Sequence, residues 1–426
     1  MRPVTAIVLA AGESTRMRTE IPKVLHPVCG RTVIGHILHE LEGIDLIEQI
    51  YIVVGYKKEE IIPVLGDTVR YVVQEKRLGT GDALLRCKQS FSKEPDDVLI
   101  LAGDVPLIRK ETLYNLIEKH NNEQLDGTIL SGKILDPSGY GRIIRKDNGI
   151  VSRIVEEIDT NLFEKAIEEV NSGIYCFRWE SLSPILDSLT FNERKKEIFF
   201  TDSIEELSKK GKMVDTYCIE NSDEIIGVNS RSDLSLVTKS LRKRITDNLM
   251  KQGVSIVDPD SVFIDIEVTI GEDSIVYPFT VIEGMTAIGK ECKIGPFAHI
   301  RGGVTLEDRV EIGNFVEVKN CVIGQETKAK HLTYLGDSEL GKKVNIGAGT
   351  IVANYDGRKK HKTVINDRAF IGSGTILVSP VTVGKDAITG AGSVVTKKST
   401  IADGAIVVGV PAKELKRDKS RKSNKE

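Results

Sequence analysis

The feature that most constrains this chain is a dipeptide that keeps returning after position 253. An aliphatic residue followed by glycine occurs at Ile270-Gly271, Ile288-Gly289, Ile294-Gly295, Ile312-Gly313, Ile323-Gly324, Leu340-Gly341, Ile346-Gly347, Ile371-Gly372 and Val383-Gly384, and several of the gaps are multiples of six. The physical solution of a hexapeptide period is a parallel β-helix. Six residues make one flat face. The aliphatic residue points inward and stacks on its copies above and below, and the glycine eases the turn between faces. One coil cannot bury its own apolar face, whereas a stack can. Unrelated strands joined by glycine turns would need a long series of spacing coincidences. The period slips by one or two residues between Gly313 and Gly341, and the polar insert Asn354–Lys362 breaks it again. A regular coil that accepts an insert usually carries function there.

Upstream of the repeat the pattern differs. Ala6–Ala11, Ile50–Val54 and Val98–Ala102 read as buried strands, and Gly35–Leu41 and Leu113–His120 as helices. That alternation predicts an α/β domain with a largely parallel sheet over residues 1–228. Leu234, Val237, Leu241, Ile245 and Leu249 then share one helical face. They predict a helix over about Ser232–Gln252, capped by Ser230 or Ser232 and ended by Gly253. The chain is thus expected to divide into an α/β domain (1–228), a connector helix (229–252), a β-helix (253–412) and a basic tail (413–426) that reads as disordered.

Composition narrows the function. Charged residues make up 28% and the net charge is −3, which argues against a nucleic-acid binder with its basic face. The apolar run at Ala6–Ala11 is too short for a signal sequence or a bilayer span, and no later run is long enough. The expectation is a cytoplasmic protein with no membrane insertion. The six cysteines are scattered, and no Cys-x-x-Cys pair suggests zinc or a disulfide framework.

Two regions carry chemistry in the N-terminal half. The run Ala6-Ile-Val-Leu-Ala-Ala-Gly-Glu-Ser-Thr-Arg-Met17 is a strand entering a small-residue loop. Gly12, Ser14 and Thr15 let backbone N–H groups face a phosphate. Arg16 and Lys23, the latter set by Pro22, add two cations suited to a triphosphate. Gly103-Asp104-Val105-Pro106 follows the strand Val98–Ala102. An Asp at the carboxyl end of a parallel strand sits where α/β sheets bind ligands, and it can hold Mg²⁺ through oxygen. Gln74…Leu78-Gly-Thr-Gly81 and Ile226-Gly-Val-Asn-Ser-Arg231 are the remaining distinctive segments.

In the C-terminal half, His331 lies in Lys330-His-Leu-Thr-Tyr-Leu-Gly-Asp337, shortly after Asn314-Phe-Val-Glu-Val-Lys319. Residues about one coil apart stack on one edge, so Glu317 and His331 are expected to meet. A carboxylate beside the ring would orient it and raise its basicity. Acyl transfer to an amine needs such a base.

On these motifs the N-terminal half resembles the sugar-1-phosphate nucleotidylyltransferases. With the β-helix, residues from about 4 to 412 resemble the bacterial bifunctional N-acetylglucosamine-1-phosphate uridyltransferase/glucosamine-1-phosphate N-acetyltransferases. The resemblance implies a Rossmann-like α/β domain, a left-handed β-helix, and two reactions. Acetyl-CoA acetylates glucosamine-1-phosphate, and UTP then yields UDP-N-acetylglucosamine and pyrophosphate. It implies that Leu9, Ala10, Ala11 and Gly12 with Arg16 and Lys23 hold the nucleotide phosphates, and that Gln74, Gly79 and Thr80 read uracil. Asp104 and Asn229 would ligate Mg²⁺, while Gly141, Glu156, Asn171 and Thr201, with Asn229 beside them, would hold the N-acetylated sugar. In the second half His331 would be the base with Glu317 orienting it. Arg301, Lys319, Tyr334, Asn345 and Lys360 would bind the sugar phosphate. Asn354 and Tyr355 would lie near acetyl-CoA, whose channel Ala348, Ser373 and Ala391 would line. A homotrimer sharing each acetyltransferase site is also implied.

The chain departs from the pattern at four places. Glu13-Ser14 stands where Lys-Gly is usual, Glu157-Ile158-Asp159 where Glu-Lys-Asp is usual, and Asp82 where His or Gln is common. Gly409 replaces an Arg used on coenzyme A, and Lys413 is expected to supply the missing charge.

Overall fold

The structure is a computed structural model that describes residues 1–13, 15–192 and 196–415. Ser14 of the phosphate loop and residues 416–426 of the basic tail lie outside the described residues. Two compact units divide between Lys239 and Ser240, inside one helix, and not at either end of the connector.

The first unit is built on seven strands: β1 (Val4–Ala10), β2 (Ile47–Val54), β3 (Arg70–Val73), β4 (Asp97–Ala102), β5 (Gly127–Lys133), β6 (Glu169–Arg178) and β7 (Val214–Ile219). Their order is β7-β5-β6-β4-β1-β2-β3, and a hairpin of Arg142–Arg145 with Val151–Val155 joins β6. β1 pairs in parallel with β2 and β4. Its side chains alternate between two apolar layers. Ala6 and Val8 pack with Ile34, Ile37, Leu113 and Leu116, and Ile7 packs with Leu84, Trp179 and Leu182. A strand covered on both faces reads as a continuous apolar run, which is how it stands in the sequence. The sheet is nevertheless mixed, because β6 runs antiparallel between β4 and β5. Between β5 and β6 the chain forms the hairpin rather than a crossover helix, so β6 returns in the opposite direction.

The helix Arg231–Lys251 carries Val237, Leu241, Ile245 and Leu249 on its buried face. Ser230 Oγ accepts from Asp233 N, and Asp233 Oδ2 accepts from Ser230 N at 2.8 Å, a reciprocal cap. Gly253, at φ +92°, follows its end. In the second unit the Arg242 guanidinium lies 3.7 Å from the Phe263 ring centroid and donates to Val262 O, which fixes this part of the helix to the first coil.

The second unit is a left-handed parallel β-helix of short strands. Ile270, Ile288, Leu306, Ile323, Leu340, Ile365, Val383 and Ile401 form one inward ladder, all buried. Each such side chain contributes about 1.5–3 kcal/mol relative to exposure. The coil step is 18 residues where Lys290 meets Asp308, 17 where Asn314 meets His331, and 25 where Lys342 meets Asp367 across the insert.

Apart from Gly295, which takes φ +95°, the glycines of the repeat do a different task from the expected one. A Cβ on Gly313 would lie 2.0 Å from Lys330 O, and one on Gly271 would lie 2.7 Å from the Gly289 backbone. These glycines are required by the close approach of the next coil. The left-handed turn falls two residues later, on residues such as Asp273 (φ +61°), Phe315 (φ +55°) and Asp386 (φ +55°). Along one corner these turn residues are Phe279, Phe297 and Phe315, whose exposed rings stack at 4.9 and 5.3 Å, followed by the exposed Leu332. In the coils beyond, Gly349, Gly374 and Gly392 continue the left-handed turn.

The first residues of the expected tail are ordered. Lys413–Glu414 form a strand antiparallel to Val407–Val408, because the chain folds back and pairs the free edge of the last coil. Among the described residues no helix is long and apolar enough to cross a membrane.

Candidate active sites

The first site opens at the carboxyl ends of β1 and β4. A cleft of about 510 Å³ is lined by Leu9, Ala10, Ala11, Gly12, Lys23, Gln74, Gly79, Thr80 and Asp104. Glu13, Arg77 and Glu197 line it too, and sequence reasoning gave the last two no role. Gly103 N donates to Leu9 O at 2.9 Å, and a Cβ on Gly103 would lie 2.7 Å from that oxygen, so only glycine lets the two strand ends converge here.

Charge in this cleft is paired internally. Lys23 Nζ contacts Asp104 Oδ2 and lies 3.3 Å from Asn229 Oδ1. Arg16 donates to the same Asn229 oxygen at 2.9 Å. Asp104 O accepts from Val228 N at 2.8 Å, which brings the Asn229 loop to the Asp104 loop. Glu13 is bonded to Arg77 at 2.7 Å, and Arg77 also lies over the Tyr56 ring.

Gln74 is buried, and its Nε2 donates to Gly79 O and to Asp82 Oδ2. Thr80 Oγ1 accepts from Phe200 N at 3.0 Å.

A second group lies around the hairpin. Thr201 Oγ1 donates to Glu156 Oε1 at 2.9 Å, and Asn171 N donates to Gly141 O at 2.9 Å. A Cβ on Gly141 would sit 3.5 Å from Glu156 Oε2 and 3.6 Å from Asn171 Cβ, so these four residues lie in one cluster. Asn229 belongs with Arg16 and Lys23 by its contacts. Asn171 Nδ2 donates to the Tyr175 hydroxyl at 2.8 Å, and burial pushes that phenol up, which keeps it a neutral partner. Glu157 pairs with Arg142 at 2.7 Å while Ile158 is 79% exposed, so this departure leaves the ion pair intact.

In the second unit the structure corrects one pairing. Glu317 does not orient His331. The coils here step by 17 residues, so Asn314 stacks on His331 and Glu317 on Tyr334. His331 Nδ1 lies 2.9 Å from Asn314 Oδ1. An amide oxygen accepts, so Nδ1 carries the proton and Nε2 is the basic atom. The Glu317 carboxylate meets Arg301 at 3.3 Å.

Directly beyond His331 the next coils place small residues in register. Gly349 N donates to His331 O, Gly374 N to Ala348 O at 2.7 Å and Gly392 N to Ser373 O at 2.8 Å. Ala348, Ser373 and Ala391 therefore form a column that starts at His331, next to the glycine stretch of the corner. Val408, paired with Lys413, lies just before Gly409 at the far end.

The cations on the adjacent face are crowded. The Lys360 ammonium, and then the Arg301 guanidinium, hold Lys319 below the usual lysine value. The Tyr334 hydroxyl and Asn354 amide would lie 2.5 and 2.6 Å from a Cβ on Gly336, so only glycine admits both. Asn354 is buried and donates to Asp337, which also accepts from Asn320 at 2.6 Å. Asn345 opens the strand Asn345–Ile346, in register with Lys328 rather than His331.

The insert is a pinned hairpin. Tyr355 bridges to Lys360, and Asp356 accepts from the backbone of Lys359 and Arg358, from His361 and from Lys397 at 3.1 Å. These bonds, first that to Lys359 N, hold the Asp356 carboxyl far below the usual carboxylate range. Sequence reasoning missed Asp356 and His361, whose only signal was the polarity of the insert.

Comparison with known proteins finds matches for both units of the chain. Residues 6–141 match the MobA-like NTP transferase domain. Residues 285–320 and 362–397 match the bacterial transferase hexapeptide repeats. The chain is 40% identical to the bifunctional protein GlmU of Acetivibrio thermocellus, over 93% of each chain. It is 39% identical to that of Alkaliphilus metalliredigens over 99% of this chain and 97% of the other. With the GlmU of Caldanaerobacter subterraneus the identity is 40% over 100% and 97%. A nucleotide cleft in the first unit, a histidine column on a hexapeptide β-helix in the second and these full-length matches together make the chain a member of the bifunctional GlmU family, an enzyme that acetylates glucosamine-1-phosphate in its C-terminal half and transfers uridylyl to the product in its N-terminal half.

Proposed function

We propose that Asp104 and Asn229 hold a Mg²⁺ ion together with the nucleotide phosphates. The observation that carries this is convergence: oxygens from two separate loops already reach one cation, the Lys23 ammonium. Hard oxygen donors suit Mg²⁺, which takes few protein ligands and completes its shell with phosphate and water. Among the described residues there is no competing group of three or more His, Cys, Asp or Glu. When bound, the ion neutralises phosphate charge.

The chain's own residues do the rest. Leu9–Gly12 let the triphosphate approach the backbone, and Arg16 and Lys23 offset its charge. Gln74, Gly79 and Thr80 read the uracil. Arg77 supplies the cation that Glu13 takes away. Gly141, Glu156, Asn171 and Thr201 orient the N-acetylated sugar so that its phosphate oxygen attacks the α-phosphorus. The new P–O bond forms as the bond to pyrophosphate breaks, with no covalent enzyme intermediate. Positioning and charge neutralisation carry the rate.

In the β-helix, Arg301, Lys319, Tyr334, Asn345 and Lys360 hold glucosamine-1-phosphate. The sugar amine attacks the thioester carbonyl, His331 Nε2 takes its proton, and the C–S bond breaks to release coenzyme A. Asn314 replaces Glu317 as the group that sets the ring. Ala348, Ser373 and Ala391 line the pantetheine path, Asn354 and Tyr355 flank the acetyl end, and Lys413 meets the coenzyme phosphates. The exposed ladder Phe279, Phe297, Phe315 supports assembly as a homotrimer, in which a neighbouring copy covers that corner. UTP and acetyl-CoA as substrates support a cytoplasmic location, without nucleic-acid partners or membrane insertion.

Mass spectrometry of glucosamine-1-phosphate incubated with acetyl-CoA, UTP and Mg²⁺ tests the scheme. The expected order is the N-acetylated sugar phosphate, then UDP-N-acetylglucosamine. Asp104→Ala should stop the second product alone. His331→Ala should slow coenzyme A release by about 10²–10⁴-fold while pyrophosphate release from added N-acetylglucosamine-1-phosphate continues. Loss of both activities in either variant would refute independent sites, and an unchanged acetyl-CoA KM in Lys413→Ala would remove Lys413.

A further inference from the structure

Gln74 is buried at the base-reading end of the cleft, and its amide is held in one orientation. Nε2 donates to Gly79 O at 3.0 Å and to Asp82 Oδ2 at 2.8 Å. An amide nitrogen has two hydrogens, and here both go to oxygens that have no proton to return. Turning the amide would set Oε1 against a carbonyl oxygen and a carboxylate. Gln74 is 4% exposed and Asp82 2%, so water cannot take over the lost bonds.

Both acceptors are themselves fixed. Asp82 Oδ1 lies 3.2 Å from Arg86, one helical turn on. Gly79 has φ +101°, a Cβ on it would lie 2.6 Å from Ile198 O, and Gly81 N donates to that same oxygen at 2.9 Å. The Gly79 carbonyl thus cannot swing away from Gln74 without breaking the loop.

We infer that Asp82 is a specificity-determining positioning residue for uridylyl transfer. It locks Gln74 with Oε1 toward the nucleobase, so the site accepts a base that presents N–H at ring position 3 and refuses one that presents a lone pair there. Uracil does the first and cytosine the second. The inference rests on the reading that Gln74 faces the base. The histidine or glutamine common at this position can donate as well as accept, whereas a carboxylate only accepts, so the lock here is stricter.

The test uses the full chain. Pyrophosphate release is measured with N-acetylglucosamine-1-phosphate and either UTP or CTP, for the parent and for Asp82→Asn, Asp82→Ser and Gln74→Ala. Coenzyme A release checks each preparation, and emission of the single tryptophan, the buried Trp179, reports folding of the first unit. An asparagine can present either an oxygen or an NH₂ group, so Asp82→Asn permits the turned amide. The UTP-to-CTP ratio of kcat/KM should fall about tenfold or more in both Asp82 variants, largely through a gain on CTP. A merely structural role would lower both substrates together and leave the ratio unchanged, which would overturn the inference. If Gln74→Ala also leaves the ratio intact, Gln74 does not face the base and the underlying reading fails. If Gln74→Ala collapses the ratio while folded Asp82 variants keep it, Asp82 alone is excluded. Should one Asp82 variant not fold, the other decides.

Discussion

The two units prepare for anionic substrates in opposite ways. In the first, each cation proposed to meet the nucleotide phosphates rests on an acid or amide: Lys23 on Asp104 and Asn229, Arg16 on the same Asn229 oxygen, and Arg77 on Glu13. In the second, Arg301 is paired with Glu317, but Lys319 and Lys360 stand side by side and Arg301 adds to the repulsion on Lys319. The first site is neutralised in advance and must exchange partners when nucleotide arrives. In the second, the proposed phosphate would relieve the repulsion between neighbouring lysines. Exchange suits a reaction in which charge moves along a triphosphate. Stored repulsion suits a fixed phosphate handle far from the bond being made.

The largest effect that sharpens this contrast concerns the base. Asn314→Ala should cut acetyl-transfer kcat by about 10–100-fold by freeing the His331 ring. Glu317→Gln should act on the sugar-phosphate KM, because Glu317 sets Arg301 and not the histidine. Steady-state coenzyme A release separates the two, and a larger kcat loss in Glu317→Gln would restore the pairing first expected.

Next comes the crowded lysine pair. Lys360→Ala should weaken binding of N-acetylglucosamine-1-phosphate to the β-helix by about tenfold, the scale of a charge-assisted phosphate contact. Phosphate binding raises the Lys319 pKa back toward normal. Affinity is therefore full at lower pH and declines as pH rises through the depressed value of the free protein. Without Lys360 that decline should move to higher pH. Calorimetry across alkaline pH, in a background of Glu156→Ala and Asn171→Ala to remove the sugar contacts of the other site, checks it. An unmoved profile would deny the repulsion.

The smallest effect belongs to the paired site. Arg77→Ala should raise the UTP KM a few-fold, and Glu13→Gln should lower it slightly, since exposed pairs are worth about 0–1 kcal/mol. Opposite signs in initial-rate assays support exchange, whereas equal changes would reduce the pair to surface decoration.

Much of this was legible in the sequence. The aliphatic ladder of the β-helix follows from the period, and Leu9–Gly12 and Lys23 line one cleft. The missed features share a cause. Whether His331 meets Asn314 or Glu317 depends on two coils that are each one residue short, and the dipeptide pattern shows that a slip exists without fixing which side chains then align. Glu13 and Arg77 are 64 positions apart, and Asp356 and Lys397 are 41 apart. Such pairs exist only once the topology is closed. The departures at Glu13 and Asp82 each have a partner in three dimensions, Arg77 and Gln74.

The corner that changes from stacked phenylalanines to glycines has a consequence for the length of the acyl donor. Below His331 the turn is filled by Phe279, Phe297 and Phe315, and beyond it Gly349, Gly374 and Gly392 leave the same track bare. Coils are spaced by about 4.8 Å, so the three glycine coils make a small-residue track on the order of 14 Å long that starts at His331. The corner acts as a gauge cut into the repeat. Adding or removing one 18-residue coil beyond Gly374 would reset that length by one notch, without touching the groups that do the chemistry.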